Sequence, residues 1–258
     1  ADAMPVLNWV CSNDIDVAVG RVVYTQWLNE RGGIEADLTI TRLAEDDFLI
    51  ITSGETEVRD YFWLKRQIPR EAHAFLTNVT SGYAVLSVMG PRSRELLQAL
   101  SPDDLTPIGF PFATSREIEI AYTHVRASRI TYVGELGWEL YVPTEFALGV
   151  YEAINETGTA FELVPAGYHA LNSLRMEKAY RHWGHDISDE DSPIEADLMF
   201  VVKMDKQGGF LGRDALLRQL EAGRDRRLVQ SLSRWRWCAV EKGTQRSFRP
   251  WLVDGAVQ

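Results

Sequence analysis

The sequence has no apolar run long enough to cross a bilayer and no secretory pattern at its start. It has only two cysteines, Cys11 and Cys238, far apart and outside any Cys-x-x-Cys or nucleophile signature, so neither a disulfide framework nor thiol chemistry is indicated. Gly-x-Gly-x-x-Gly, a phosphate loop and Gly-x-Ser-x-Gly are all missing, which leaves no Rossmann-type site for FAD or NAD. Basic residues are also in deficit. A formal net charge of −10 argues against nucleic acid as a partner, because phosphate binding needs a basic surface. Together these absences point to a cytoplasmic protein without a membrane partner. A small anionic ligand remains compatible, since one local arginine can outweigh a diffuse opposing field.

What is present is an ordinary globular composition: 258 residues, 45% hydrophobic and 25% charged, enough for one large domain or two modest ones. Ala1-Asp2-Ala3 before Met4 reads as an appended remnant outside the fold. Leu38 and Ile40 alternate with Thr39 and Thr41, the period of a half-buried strand, and Glu45-Asp46-Asp47 turns the chain into a returning strand, Phe48 to Thr52. Thr52-Ser53-Gly54-Glu55 has the form of a capping box opening a helix that runs to about Gln67. Val58, Tyr61, Phe62, Leu64 and Ile68 are read as its apolar side. Ala84 to Met89 is a strand stopped by Gly90-Pro91, and a helix follows to Leu100. Three strand-like runs come next (Glu117–Tyr122, His124–Val133, Trp138–Val142), then helices over Glu145–Asn155 and about Ala166–Tyr180. The interleaving predicts an α+β fold with a largely antiparallel sheet. From Arg224 onward the chain turns basic and tryptophan-rich, either a poorly structured tail or a basic-aromatic surface.

Four groups of residues could carry chemistry. The first is Tyr132-Val133-Gly134-Glu135-Leu136-Gly137-Trp138-Glu139. If Glu135-Leu136 is a two-residue hairpin tip, Tyr132 stands opposite Glu139, away from the face of Trp138 and Leu140. A phenol beside a carboxylate suits a heterocycle with hydrogen-bond donors, or is simply a cross-strand polar pair. The second is Asp60, at the rim of the helical apolar stripe, which on spacing alone reads as a solvated acid. The third is Arg175, one turn after Leu171, placed to offer a fork to a carboxylate ligand or to pair within the fold. The fourth is His182-Trp183-Gly184-His185-Asp186; the glycine breaks the helix and no third ligand is evident, so no metal is assigned.

In this order the segments resemble the glycine-cleavage T-protein (aminomethyltransferase) family. Tyr24-Thr25-Gln26-Trp27-Leu28-Asn29-Glu30-Arg31-Gly32-Gly33-Ile34-Glu35-Ala36-Asp37 is similar to the tetrahydrofolate-binding region of dimethylglycine and sarcosine dehydrogenases. Leu86 to Pro91 is similar to the family's strand ending in Gly-Pro. Tyr132 to Glu139 resembles its Tyr-Thr-Gly-Glu-x-Gly-x-Glu signature, with Val133 for Thr. Leu174-Arg175-Met176-Glu177, Gly184-His185-Asp186, Ser192-Pro193-Ile194-Glu195-Ala196 and Phe210-Leu211-Gly212-Arg213 follow in place. The resemblance runs from about Asn13 to Gln230.

The resemblance implies a T-protein folate-binding fold with ferredoxin-like pieces around a central opening. It implies a folate-binding domain over residues 4–230, incomplete because the family's C-terminal barrel is missing, and a divergent tail over 231–258. It implies Asp60 as the catalytic acid, since Thr52 to Asp60 is similar to the family's Thr-Asn-Ala-Gly-x-x-x-Lys-Asp, with Ser53 for Asn. It places Tyr132 and Glu139 on the pterin, Arg175 near the ligand, and Asn78 as a further contact. The implied reaction is capture of an N-methyl amine-derived iminium by tetrahydrofolate, giving 5,10-methylenetetrahydrofolate. The alternative is a non-catalytic folate-binding module, or a truncated fragment, serving a separate flavoprotein dehydrogenase, with no flavin site in this chain.

Overall fold

The computed structural model describes residues 2–223 and 226–230; the divergent tail and Cys238 lie outside the described residues. The elements run α1 (Ala3–Val10), β1 (Val22–Leu28), β2 (Ile34–Ala44), β3 (Asp47–Ile51), α2 (Glu57–Gln67), β4 (Tyr83–Met89), α3 (Ser93–Leu100), β5 (Ser115–Ile120), β6 (Thr123–Ser128), β7 (Gly137–Pro143), α4 (Ala147–Gly158), α5 (Tyr168–Glu177) and α6 (Arg213–Ala222). The strands form two antiparallel sheets, ordered β1-β2-β3 and β4-β7-β6-β5. The fold is therefore α+β with antiparallel sheets, and no sheet among the described residues closes into a barrel. No helix among them is long and apolar enough to cross a membrane.

The three-stranded sheet follows from the alternation in β2. Ile34, Ala36, Leu38 and Ile40 are buried, while Glu35, Asp37 and Thr39 point to the other face. The apolar face receives α1 through Leu7 and Val10 and α2 through Trp63 and Leu64. Trp63 stacks on Trp27 with ring centroids 5.1 Å apart. Each such side chain contributes about 1.5–3 kcal/mol on leaving water. This contact sets the rotation of α2: its buried residues are Asp60, Trp63 and Leu64, whereas Val58 and Phe62, read as part of the apolar side, are exposed. The expected capping box also does not form. Thr56 is the N-cap without a side-chain cap, and its hydroxyl donates to Asp60 instead, at 2.6 Å.

The N-terminal residues belong to the fold rather than to an appended remnant. Ala3 opens α1, and the Asp2 carboxylate accepts the His73 N–H at 2.8 Å. At the far end of α1 the ammonium of Lys206, itself buried, donates to the carbonyls of Asn8, Cys11 and Asn13. A cation is favoured there because the last helical carbonyls lack backbone donors.

The four-stranded sheet buries Trp138, Leu140 and Val142 of β7 with Ile118, Ile120, Val125 and Ala127 against α3 and α4. Residues after α5 (Ile187, Ile194, Ala196, Leu198, Val202, Phe210) close over Leu28 and Ile34 at the end of the first sheet. Gly33 is required at that contact, because a Cβ there would meet the Asp189 carbonyl oxygen at 1.9 Å.

The hairpin differs from the two-residue turn read in the sequence. β6 ends at Ser128, and Glu139 pairs with Ser128 rather than Tyr132. Residues 129–136 form a loop whose Leu136 carbonyl accepts the Gly90 N–H at 2.7 Å and the Ser93 hydroxyl at 2.9 Å. The loop is thus anchored to the corner between β4 and α3. Gly137 lets β7 approach β4: a Cβ there would meet the Met89 sulfur at 2.2 Å. The two glycines bracket a docked loop, not a tight turn.

Candidate folate site on two polar sheet faces

The polar face of the three-stranded sheet carries a half-buried acid with two neutral donors. β1 and β2 pair so that Gln26 lies opposite Asp37. The Asp37 carboxylate accepts the Gln26 amide and the Tyr24 hydroxyl, each at 2.9 Å. Burial pushes its pKa up to about 6, against these donors and the more distant charge of Arg181. Burial and the Asp37 charge also push the Tyr24 phenol up.

Tyr132, on the 129–136 loop, lies near enough for the Asp37 charge to act on its phenol. Its hydroxyl donates to the Arg181 carbonyl at 2.8 Å, and its ring stacks on Tyr180 with centroids 6.4 Å apart. Burial pushes its phenol up to about 12, and the charges of Arg175 and Asp37 both act on it. Tyr24, Asp37, Tyr132 and Tyr180 therefore belong to one neighbourhood.

Arg175 borders that neighbourhood without offering its fork to a ligand. It is the one buried residue of α5, 1% exposed, and donates to Asn172 at 2.7 Å, to the Tyr180 carbonyl at 2.9 Å and to the Asp186 carboxylate. Asp186 also accepts the His182 N–H at 3.0 Å. The guanidinium thus ties the end of α5 to the 180–186 turn that carries Tyr180.

Asp60, the acid expected to be catalytic, lies at the edge of β2. β3 pairs with β2 only from Thr39 onward, so the earlier part of that edge is open. Arg59 fills it, donating to the Glu35 carbonyl and to the Glu35 carboxylate at 3.2 Å while stacking on Trp183, 3.9 Å from the ring centroid. Asp60 is 3% exposed. One of its oxygens accepts from Thr56; the other, 3.8 Å from the Arg59 Nε, has no hydrogen-bond partner among the described residues. Burial raises its pKa, opposed by Thr56 and Arg59.

Glu139 lies on the polar face of the four-stranded sheet, away from Trp138 and Leu140 as read from the sequence. In register it sits between Ser87 and Ser128. It accepts the Tyr141 hydroxyl at 2.6 Å, and burial raises its pKa against that bond. Asn78 is exposed, donating to the Glu57 carboxylate at 2.6 Å and accepting the Thr80 N–H at 2.9 Å; it braces the first turn of α2. The rings of His182 and His185 stack 5.3 Å apart, and no group of three or more potential metal ligands occurs among the described residues. Two open depressions of about 440 and 530 Å³ lie elsewhere, one around Arg31, Glu195 and Arg226, the other around Trp9, Gly209 and Arg218.

The structure therefore brings Tyr132 and Arg175 together and adds Asp37, Tyr24 and Gln26, which the sequence reading missed as site residues. The available signal was a carboxylate in the middle of an alternating strand, on the face opposite Ala36 and Leu38. Buried acids with tyrosine donors, among aromatic rings, can accept from the donors of a flat heterocycle and can hold or take a proton.

Comparison with known proteins places the chain in a family. The model of the GCVT N-terminal domain family matches residues 1–206. A 4-methylaminobutanoate oxidase (formaldehyde-forming) from Paenarthrobacter nicotinovorans is 45% identical over 88% of this chain and 28% of its own length. The mitochondrial sarcosine dehydrogenase of Mus musculus is 38% identical over 88% of this chain and 26% of its own. The chain thus spans about a quarter of the length of these relatives. The solved aminomethyltransferase T of the Bartonella henselae glycine cleavage system superposes with a TM-score of 0.72, at 26% identity, over 86% of this chain and 59% of that one. The chain belongs to the GCVT family, the folate-dependent aminomethyltransferase fold of glycine-cleavage T-proteins and of the matching region of sarcosine and dimethylglycine dehydrogenases.

Proposed function

We propose that this chain binds tetrahydrofolate and transfers a one-carbon unit to it, taking the carbon from an N-methyl amine-derived iminium. When bound, tetrahydrofolate would supply the two amine nitrogens that bond to the carbon as 5,10-methylenetetrahydrofolate, while the carbon's bond to the donor nitrogen breaks, the demethylated amine leaves with one of the two displaced N–H protons, and the other passes to a base. The residues present fit such a ligand. Glu139 is a half-buried acid whose described partner is a single tyrosine hydroxyl, which leaves acceptor capacity for the donors of an amino-pyrimidine ring. Tyr132 and Tyr180 offer ring faces for stacking. Arg175 acts through Tyr180 and the 180–186 turn, and Asn78 through α2.

The observation that carries the reading is the placement of Asp37, half-buried on the polar sheet face with the neutral donors Tyr24 and Gln26 on its carboxylate and its pKa raised to about 6. A carboxylate of that pKa can take the proton that a secondary amine loses when it attacks, and offset positive charge at the reacting carbon. Asp60 is the second candidate for this role, supported by its unpartnered buried oxygen and the family-like Thr52–Asp60 segment. The geometry favours Asp37, because its hydrogen bonds come from Tyr24 and Gln26 on the polar sheet face, whereas Asp60 accepts from Thr56 at the start of its own helix and lies 3.8 Å from the Arg59 Nε.

The test is to place the 258-residue chain beside a flavoprotein amine dehydrogenase turning over its N-methyl substrate with tetrahydrofolate present. Methylenetetrahydrofolate should rise at the expense of free formaldehyde. Titration calorimetry that shows reduced-folate binding without this diversion would instead support a binding module serving the flavoprotein. Absence of both would remove the folate reading.

A further inference from the structure

Phe200 is exposed where its neighbours are not. In the segment after α5, Ile194, Ala196, Leu198, Val201 and Val202 are all buried, most of them in the cluster against Leu28 and Ile34. Phe200, in the short 3-10 turn Met199–Val201, is 75% exposed. The buried residues on either side fix the turn, so the ring is presented by a rigid support. A singly exposed phenylalanine is ordinary on a protein surface; what sets Phe200 apart is the ring it meets. Its described aromatic contact is Tyr24, with centroids 6.4 Å apart and planes inclined at 43°. The Tyr24 hydroxyl is the donor to Asp37. Phe200 therefore stands one aromatic ring away from the acid of the proposed site, while most of its ring surface stays free.

We propose that Phe200 is a ligand-contacting wall of the folate site: its free face stacks on a flat ring of the bound folate and, with Tyr24, fixes that ring relative to Asp37. This rests on the folate reading above. An aromatic wall suits such a ligand because ring pairs gain from offset or tilted contact beyond simple burial, and because the rigid turn loses little freedom when the ligand arrives.

The test is calorimetric titration of the 258-residue chain with (6S)-5-formyltetrahydrofolate. Phe200→Ala should weaken binding about tenfold, as expected for loss of one aromatic contact, with an unchanged melting temperature because the side chain is exposed. Phe200→Trp should retain or tighten binding, which a merely structural role would not require. Phe75→Ala, which removes an equally solvated ring (93% exposed) outside the site, should leave affinity unchanged. Wild-type binding with an unaltered constant in Phe200→Ala overturns the wall while sparing the folate reading. Equal losses in Phe75→Ala and Phe200→Ala also overturn it. No binding by the wild-type chain removes the folate reading and this inference with it.

Discussion

The two sheets each turn one polar face away from the core, and each face holds a half-buried carboxylate bonded to a tyrosine. On the three-stranded sheet Asp37 has two donors, Tyr24 and Gln26, and lies within reach of the charge of Arg181. On the four-stranded sheet Glu139 has Tyr141. In neither case does a hydrogen-bonded cation hold the acid ionised, and in both burial raises the pKa. Asp186 is bonded to the buried Arg175 and belongs to the frame. Acids paired with cations build this fold; acids paired with phenols keep their chemistry available. Asp37, with its pKa near 6, is suited to exchanging a proton, and Glu139 to accepting from a bound ligand.

The comparison breaks most sharply at Asp37. Asp37→Asn should lower methylenetetrahydrofolate formation by roughly 10²–10⁴-fold, the range for a lost general acid–base group, while circular dichroism shows a folded chain. Asp60→Asn should cost less than about tenfold, because its contacts are local to α2. The opposite ranking in the same assay would move the acid to Asp60. Next in size is Arg175→Ala, which strands Asp186 and should destabilise the chain by about 3 kcal/mol in urea unfolding. Its effect on folate affinity should track that loss of stability, and Arg175→Lys, which keeps the charge but not the fork, should recover only part of it. A variant that keeps its stability but loses folate affinity would return Arg175 to direct ligand contact.

Glu139→Gln sharpens the contrast from the other face. It keeps the shape and the bond from Tyr141 but loses the charge facing the ligand. Folate binding should weaken about tenfold, the scale of one charge-assisted hydrogen bond, with the rate at saturating folate little changed. A fall in that rate with binding intact would make Glu139, rather than Asp37, the group that works on the reacting atoms.

Much of this frame was legible from residue periodicity. The alternation of Leu38 and Ile40 with Thr39 and Thr41 marks the second half of β2, and Gly90-Pro91 ends β4, because these signals are local. The partners of Glu139 were not legible. Ile130 to Val133 looks like a continuing strand, but the loop it belongs to is anchored to Gly90 and Ser93, some forty residues earlier in the chain. Asp37 was hidden for a related reason. A carboxylate in a strand reads as solvated until its partner strand is known, and only the pairing of Gln26 with Asp37 shows that donors surround it. The rotation of α2 was set by Trp63 meeting Trp27, a contact between elements that no helical pattern contains.

The smallest expected effect separates a tuned acid from a merely buried one. Because the folded pKa of Asp37 is raised from 3.8 to about 6, the folded chain holds this proton more tightly than the unfolded chain does between those values. The contribution of Asp37 to stability is therefore greatest below about pH 4 and falls as pH rises through 6. Activity that needs the ionised form should climb over the same upper range. Tyr24→Phe removes one donor to the carboxylate while leaving Gln26, so the pKa should rise further and the midpoint of the pH–rate profile should move to higher pH by less than about one unit, since one of two neutral donors is lost. Tyr141→Phe makes the matching change on the four-stranded sheet and should leave that midpoint in place. If Tyr141→Phe moved the profile and Tyr24→Phe did not, the proton would be exchanged at Glu139 and the roles assigned to the two faces would be reversed.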